Sequence, residues 1–551
     1  MIQSNQNLVS LFEKSIHDNW DLNALSDYNG QHFTYHDVAE KILRIHRVFD
    51  ESGLKKGDKV ALLGKNSAMW GITYLATVTY GAVIVPILPD FKPDDIHFIV
   101  THSDSVVLFA DESLFKELSI NAIQGVKVVL NVQDHSILFA SGPEIGQKVT
   151  ESLHRHESDV SEGLSPDQVH FDPSDAEQIA LISYTSGTTG FSKGVVLQHK
   201  SLLGNILYAQ RNMPLNPQNK ILSFLPLAHT YGCAFEFLFP FTLGCDITFL
   251  AKIPSPKIIT QAFEEIRPEL ILSVPLVIEK IYKSQILPAI RKPGIRFMLH
   301  IPVLNRIIFK KIREKMYQVF GGNFRELVIG GAAFNPQAER FFRKIRFPFT
   351  VGYGMTECGP LIAYASWNTT KPGASGRVVD ELEIKIDHPD PRTHIGEIMV
   401  RGNHVMKGYY KNEEATRNVL EPDGWLHTGD LGEIDRAGNI YIKGRSKSMI
   451  LGPSGKNIYP EELESILNNR FMVMESLVIE RDDQLIALIV PDKEAMVKAG
   501  VTMERLPEVY KNYLHDLNHK VPRYMSVSSF EITETEFEKT PKKSIKRFLY
   551  K

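Results

Sequence analysis

Short apolar runs alternate with longer stretches of helical period from the first hundred residues onward. Lys59–Leu63 reads as a strand, residues 67–80 as a helix, and Val83–Ile87 as the next strand. That rhythm predicts an α/β architecture with largely parallel sheets. Three further strand-like runs each end in a glycine-containing turn. Ile179, Ala180, Leu181 and Ile182 lead into YTSGTTGFSKGV (184–195), residues 327–329 into GGAAF (330–334), and residues 349–351 into GYGMTECGP (352–360). Ligands of open α/β sheets bind beyond such strand ends, so these junctions are the candidate site.

The most apolar region, 221–250, is interrupted by Pro226, His229, Gly232, Glu236, Pro240, Gly244 and Asp246. A membrane span needs about 20 mostly apolar residues, so this region is expected to be buried core lining a pocket. From Leu304 onward, Ile308, Ile312, Met316 and Val319 recur at helical spacing. They predict an amphipathic helix. It overlaps a segment, Lys280 to Lys315, that carries ten cations and the single acid Glu314. That helix either packs on its own domain or offers a face to an anionic membrane. After residue 450 the texture changes to a smaller α/β unit rich in Lys, Glu and Asp.

A chain of 551 residues exceeds one core and predicts several domains or subdomains. The net charge of -3 gives no case for a nucleic-acid partner. Cys233, Cys245 and Cys358 are too few and too scattered for a disulfide framework or a zinc site, as expected in a reducing compartment. The opening MIQSNQNLVSLFEKS has no basic head followed by an apolar stretch. The expected location is therefore cytoplasmic, with Lys280–Lys315 as the segment for peripheral contact with the inner membrane face.

The chemistry is concentrated in 184–195. Gly187 and Gly190 let the backbone turn and aim N–H groups at an anion, Thr185, Ser186, Thr188 and Thr189 add hydroxyl donors, and Lys193 adds charge. The loop is not a Walker A sequence: Ser192 stands where the second glycine belongs, and Gly194 where Ser or Thr belongs. GYGMTECGP contains G-x-G without the third glycine of a dinucleotide fingerprint.

The string YTSGTTGFSKGV resembles the phosphate-binding signature of adenylate-forming enzymes, the superfamily of acyl-CoA synthetases, peptide-synthetase adenylation domains and firefly luciferase. The resemblance runs from FTYHDVAEKILRIHRVF near the N-terminus to the terminal lysine cluster. It implies a large multi-subdomain N-terminal domain (1–444), a hinge (445–448) and a small mobile C-terminal domain (449–551). It further implies that Gly331, Ala332 and Ala333 contact adenine, that Tyr353 of GYGMTE stacks on it beside Gly354, and that Thr356 bonds the α-phosphate. Glu357, with Thr185, would hold Mg²⁺, a hard ion suited to carboxylate. Asp430 of GWLHTGD would accept from the ribose hydroxyls, with Arg445 of GRSK near the same sugar. His229 of PLAHTYG would stand near the substrate carboxylate, Lys447 at the hinge, and Gly455 and Lys456 along the path of the thiol.

One departure concerns the final lysine, which in the superfamily bridges carboxylate and α-phosphate in a pattern like KTPTGKI. Here the string is KTPKKSIKR (539–547), with Ser544 at the lysine's place. Lys543 is expected to take the role, with Lys542 and Lys546 as alternatives. PLAHTYG, SVPLVIEKIYK, GEIMVRGNHVMKGYYKNEEAT and ILGPSGKNIYPEELE look like bacterial long-chain fatty acyl-CoA synthetases. The implied reaction joins a fatty acid to coenzyme A through an acyl adenylate, using ATP and Mg²⁺. The alternatives are transfer of the adenylate to a carrier protein, or a catalytically weak nucleotide or lipid sensor. A homodimer is left open as a further partner. Gly232, Ala234 and Gly244 are expected to leave space for an acyl tail.

Overall fold

The computed structural model describes residues 7–159, 163–185, 192–251, 256–282, 290, 294, 298, 301–451, 457–482, 484–540 and 545–550. An eight-stranded sheet runs in the order Gly408–Tyr409, Lys193–Gln198, Ile179–Thr185, Val83–Ile87, Lys59–Leu63, Ser105–Ala110, Val128–Asn131, Ile137–Ala140. Its centre is parallel, from Ile179–Thr185 through Val128–Asn131, and the pairs outside are antiparallel. The helix Ala68–Tyr80 explains why the middle of this layer is dry. It is apolar on every side and buried almost throughout, so sheet and neighbouring helices enclose it. Ser67 caps its start, accepting from Trp70 N at 3.1 Å, and Gly81 ends it at φ 84°. The hydroxyls of Thr73, Thr77 and Thr79 donate to the carbonyls four residues back, so none is stranded in the core.

Two further parallel sheets follow, and the second of them carries both other junctions. Lys220–Ser223, Asp246–Phe249 and Asn23–Asp27 lie side by side, with His32–Thr34 antiparallel at the edge. Leu270–Ser273, Glu326–Ile329 and Phe349–Val351 form the other. The antiparallel strands Leu382–Asp387, Gly396–Gly402, Leu426–Ile434 and Ile440–Arg445 form a separate four-stranded layer. One hydrophobic core extends from Leu8 to Ile440. Two smaller cores lie beyond, around the sheet Val473–Arg481, Gln484–Pro491, Val527–Ile532. The fold is thus α/β with mostly parallel sheets and a separate C-terminal region.

The expected amphipathic helix spans Pro302–Val319. Met316 is buried, Phe309 and Ile312 pack on the main core, and Arg306, Lys310, Lys311 and Lys315 are exposed. Region 221–250 is buried as expected, with a π-helical turn at Cys233–Leu238. Its glycines do not leave open space, however. The place of a Gly232 side chain is filled by the Pro226 carbonyl and Leu225, and that of Gly244 by the Asn19 amide. These are close-approach glycines required by packing, and Gly244 sits at φ 78°.

Glu236, in the π-turn, is fully buried. One oxygen accepts from Ser223 Oγ, Phe224 N and Leu225 N at 3.1, 3.0 and 2.9 Å, while Oε1 has no hydrogen-bond partner among the described residues. Burial, the largest influence, raises its carboxyl far above the ordinary glutamate range, against those three donors. A raised folded value favours the protonated acid in the native state. Stability from this group is therefore full below about pH 4.3 and falls as pH rises toward the folded value. Glu236→Ala should destabilise by about 2 to 4 kcal/mol, because three donors lose their acceptor. Glu236→Gln keeps an acceptor and cannot ionise, so its melting temperature should gain on the wild type between pH 5 and pH 8. A difference independent of pH would refute the assignment.

Candidate nucleotide-binding site

The hairpin Ile179–Thr185 and Lys193–Gln198 brings Thr185 opposite Lys193 across the ladder. Ser186, Gly187, Thr188, Thr189 and Gly190, between them, lie outside the described residues, as do Gly455, Lys456, Lys542, Lys543 and Ser544. The Lys193 ammonium has no ion pair among the described residues and stands 5.0 Å from the centroid of the Tyr409 ring. Tyr409 OH donates to Glu357 Oε1 at 2.9 Å. Glu357 sits in the 3₁₀ turn Thr356–Cys358, directly after GYGM. Its Oε2 has no hydrogen bond among the described residues. A carboxylate with one oxygen open, joined through Tyr409 to a lysine that has no ion pair among the described residues, suits a divalent cation carrying phosphates.

A second cluster adjoins the first. Tyr353, nearly buried, donates its hydroxyl to Asp430 Oδ2 at 2.8 Å, and Arg445 Nε meets Oδ1 of the same carboxylate at 3.0 Å. Register explains the second contact: Asp430 and Arg445 are direct partners on neighbouring antiparallel strands. Arg445 is exposed while Asp430 is 7 % exposed, so the pair reads as a buried acceptor with an open cation at its rim. Burial pushes the Asp430 carboxyl up, Arg445 and Tyr353 pull it down, and the net shift is upward.

Gly331, Ala332 and Ala333 are exposed at the end of strand Glu326–Ile329, with Gly331 at φ 84°. Immediately before them Gly330 carries the Tyr231 ring, whose hydroxyl donates to the Val328 carbonyl at 3.1 Å. The PLAHTYG turn is thereby locked to the GGAAF junction, and His229, half-buried, starts the short helix Thr230–Gly232. Gly354 has a packing reason to be glycine, since a side chain there would run into the Pro360 carbonyl. Thr356 is buried at 9 % exposure, and Lys447 is exposed in the 3₁₀ turn Ser446–Ser448.

Around the terminal lysines the structure narrows the choice. Lys546 Nζ pairs with Glu538 at 2.5 Å, Lys539 with Glu475 and Glu536 at 2.8 and 2.9 Å, and Arg547 with the buried Glu464. Lys539 and Ile545 form an antiparallel bridge. Lys546, one of the three candidates, is therefore already committed to a carboxylate.

Two contacts escaped the sequence reading. Tyr409 lay inside a string already singled out, GEIMVRGNHVMKGYYKNEEAT, but its role depends on a strand pairing that no local pattern announces. Asn335, which caps helix Pro336–Lys344 through Gln337 N and Ala338 N, also donates to Asn469 of the C-terminal region. An asparagine before proline signals the cap, but nothing local signals the distant partner.

A lysine with no ion pair among the described residues, a carboxylate with one oxygen open and, on the antiparallel layer, a buried carboxylate held by a tyrosine form the candidate nucleotide-binding site. The family comparison is more specific. The AMP-binding enzyme family matches residues 12–410, the AMP-binding enzyme C-terminal domain matches 447–550, and the chain belongs to that family. Among its relatives, the peroxisomal long chain acyl-CoA synthetase 7 of Arabidopsis thaliana is 29% identical over 88% of this chain and 73% of its own. A long-chain-fatty-acid–CoA ligase of Mycobacterium tuberculosis is 29% identical over 80% and 74%. A chloroplastic long-chain-fatty-acid–[acyl-carrier-protein] ligase of Arabidopsis thaliana is 27% identical over 91% and 77%. In fold, ATP-bound MatB from Rhodopseudomonas palustris superposes with a TM-score of 0.77 at 24% identity, covering 99% and 98% of the two chains.

Proposed function

We propose that this protein converts a long-chain fatty acid to its acyl adenylate, releasing pyrophosphate, and then transfers the acyl group to coenzyme A, releasing AMP. The observation that carries the reading is the convergence of Lys193, Glu357, Tyr353 and Asp430 in a chain whose relatives are named long-chain acyl-CoA synthetases. Lys193 and the loop before it bind the triphosphate, Thr356 bonds the α-phosphate, and Glu357 with Thr185 holds Mg²⁺, which offsets phosphate charge. Tyr353 with Gly354, and Gly331 to Ala333, hold adenine. Asp430 and Arg445 hold the ribose, and His229 lies near the acyl carboxylate. Lys543 serves adenylation. In this reading domain 449–551 then turns about hinge 445–448, at Lys447, and presents Gly455 and Lys456 to the thiol.

A second reading, delivery of the adenylate to a carrier protein, is favoured by the acyl-carrier-protein ligase among the relatives. Mass-spectrometric product analysis with ATP, Mg²⁺ and a fatty-acid panel, with and without CoA, separates the two. Acyl-CoA and AMP appearing only with CoA support the ligase; adenylate that CoA cannot discharge supports the carrier-protein reading; no adenylate at all refutes both.

Among the described residues no helix is long and apolar enough to cross a membrane. Peripheral contact of this proposed cytoplasmic enzyme is assigned to helix Pro302–Val319, where exposed Ile307 stands among exposed Arg306, Lys310 and Lys311. Anionic vesicles should sediment the protein at low salt and release it at high salt. No sedimentation at low salt refutes this contact.

A further inference from the structure

We infer that Tyr409 is a positioning residue that fixes the spacing between the phosphate-side lysine and the metal-side carboxylate. This rests on the reading of Glu357 as a metal ligand. Residues 406–410 lie between the two motifs. Met406 N donates to the Glu357 carbonyl at 2.8 Å, Lys407 N to the Val196 carbonyl at 2.9 Å, and Tyr410 N to the Gly194 carbonyl at 2.7 Å. Gly408 and Tyr409 pair with Val196 and Val195 as the edge strand of the main sheet. The segment is a splint between hairpin and metal turn, and Tyr409 is the side chain that reaches both.

Its two ends act differently. The ring face holds the Lys193 ammonium at 5.0 Å, an attraction of about 0.5 to 1 kcal/mol at a part-exposed site. The hydroxyl donates to Glu357 Oε1. A phenol keeps its proton at neutral pH, so the group is a donor there and not a competing anion. With Oε1 occupied by that donor, Oε2 is the oxygen left for a cation. Partners that orient a metal-binding carboxylate usually matter to affinity even though they never touch the ion.

The test uses the full-length protein, Mn²⁺ as the metal probe read by the electron paramagnetic resonance of free Mn²⁺, and a non-hydrolysable ATP analogue. Tyr409→Phe keeps the ring and removes the hydroxyl. It should weaken Mn²⁺ binding in the presence of nucleotide about 10-fold, with metal-free nucleotide affinity unchanged. Tyr409→Leu removes both ends and should in addition weaken metal-free nucleotide binding about 2- to 5-fold, the cation–π attraction converted to a ratio. A merely structural tyrosine would not separate these two readouts. Unchanged Mn²⁺ affinity in Tyr409→Phe, where Glu357→Gln has lost Mn²⁺, overturns the inference. Unchanged Mn²⁺ affinity in Glu357→Gln overturns the metal reading instead.

Discussion

Replacing Lys543 by alanine should slow formation of the acyl adenylate by about 10²- to 10³-fold, the usual loss on removing a donor aimed at developing negative charge. Thioester formation from supplied acyl adenylate and CoA should stay near the wild-type rate. The split follows from where charge develops. When a carboxylate attacks the α-phosphorus, two anions approach each other and negative charge accumulates on the phosphate oxygens, so an ammonium there lowers the barrier. When a thiol attacks the acyl carbonyl, the leaving group is AMP and that lysine has no corresponding task. Of the neighbouring cations among the described residues, each already has a carboxylate partner: Lys546 is held by Glu538, Lys539 by Glu475 and Glu536, and Arg547 by Glu464. Lys546→Ala should therefore leave adenylation within about 3-fold, the scale of a surface ion pair. Single-turnover adenylation, assayed by pyrophosphate release, and thioester formation from the supplied adenylate are the two measurements. A loss in Lys542→Ala with Lys543→Ala unaffected would move the role one residue. Equal losses in both half-reactions would mark a folding defect and sink the assignment.

What the sequence disclosed was local, and what it withheld was pairing. Helix Ala68–Tyr80 and the strands on either side were legible because the apolar run, with a serine directly before it and a glycine directly after it, is contiguous in the chain. The three glycine-containing junctions were legible for the same reason. Tyr353 beside Asp430 is different: 77 residues separate them, and the bond exists only because two different sheets are brought together. Resemblance supplied that juxtaposition where periodicity could not. Neither source supplied Tyr409, which acquires its contacts by adding an edge strand to a sheet begun 350 residues earlier, at Lys59. The small residues of 221–250 misled for a related cause. A glycine records that something comes close, and at Gly232 and Gly244 that something is the protein's own backbone or side chain.

Asp430→Ala should weaken ATP binding by about 10²- to 10³-fold, since a hydrogen bond to a charged group is worth about 1.5 to 3 kcal/mol and the ribose diol offers two. Asp430→Asn retains one acceptor and should lose about 10-fold on the same scale. In the protein as described, both oxygens of Asp430 are already oriented, Oδ2 by the Tyr353 hydroxyl and Oδ1 by Arg445, so a diol meets a carboxylate that need not reorganise. The sign with pH follows from the upward shift of this carboxyl, caused first by burial. Acceptance of both hydroxyls requires the ionised form, so ATP affinity should fall on acidification at a higher pH than an ordinary aspartate would give. The assignment to ribose is checked with 2′,3′-dideoxy-ATP, which lacks the diol. The wild type should bind it far more weakly than ATP, whereas Asp430→Ala should bind the two alike, because the penalty for the missing diol has already been incurred in the protein. Inorganic triphosphate, which has no sugar, should bind wild type and variant equally. If Asp430→Ala still discriminates fully between ATP and its dideoxy analogue, the carboxylate serves Tyr353 and Arg445 rather than the ligand, and the diol is held elsewhere.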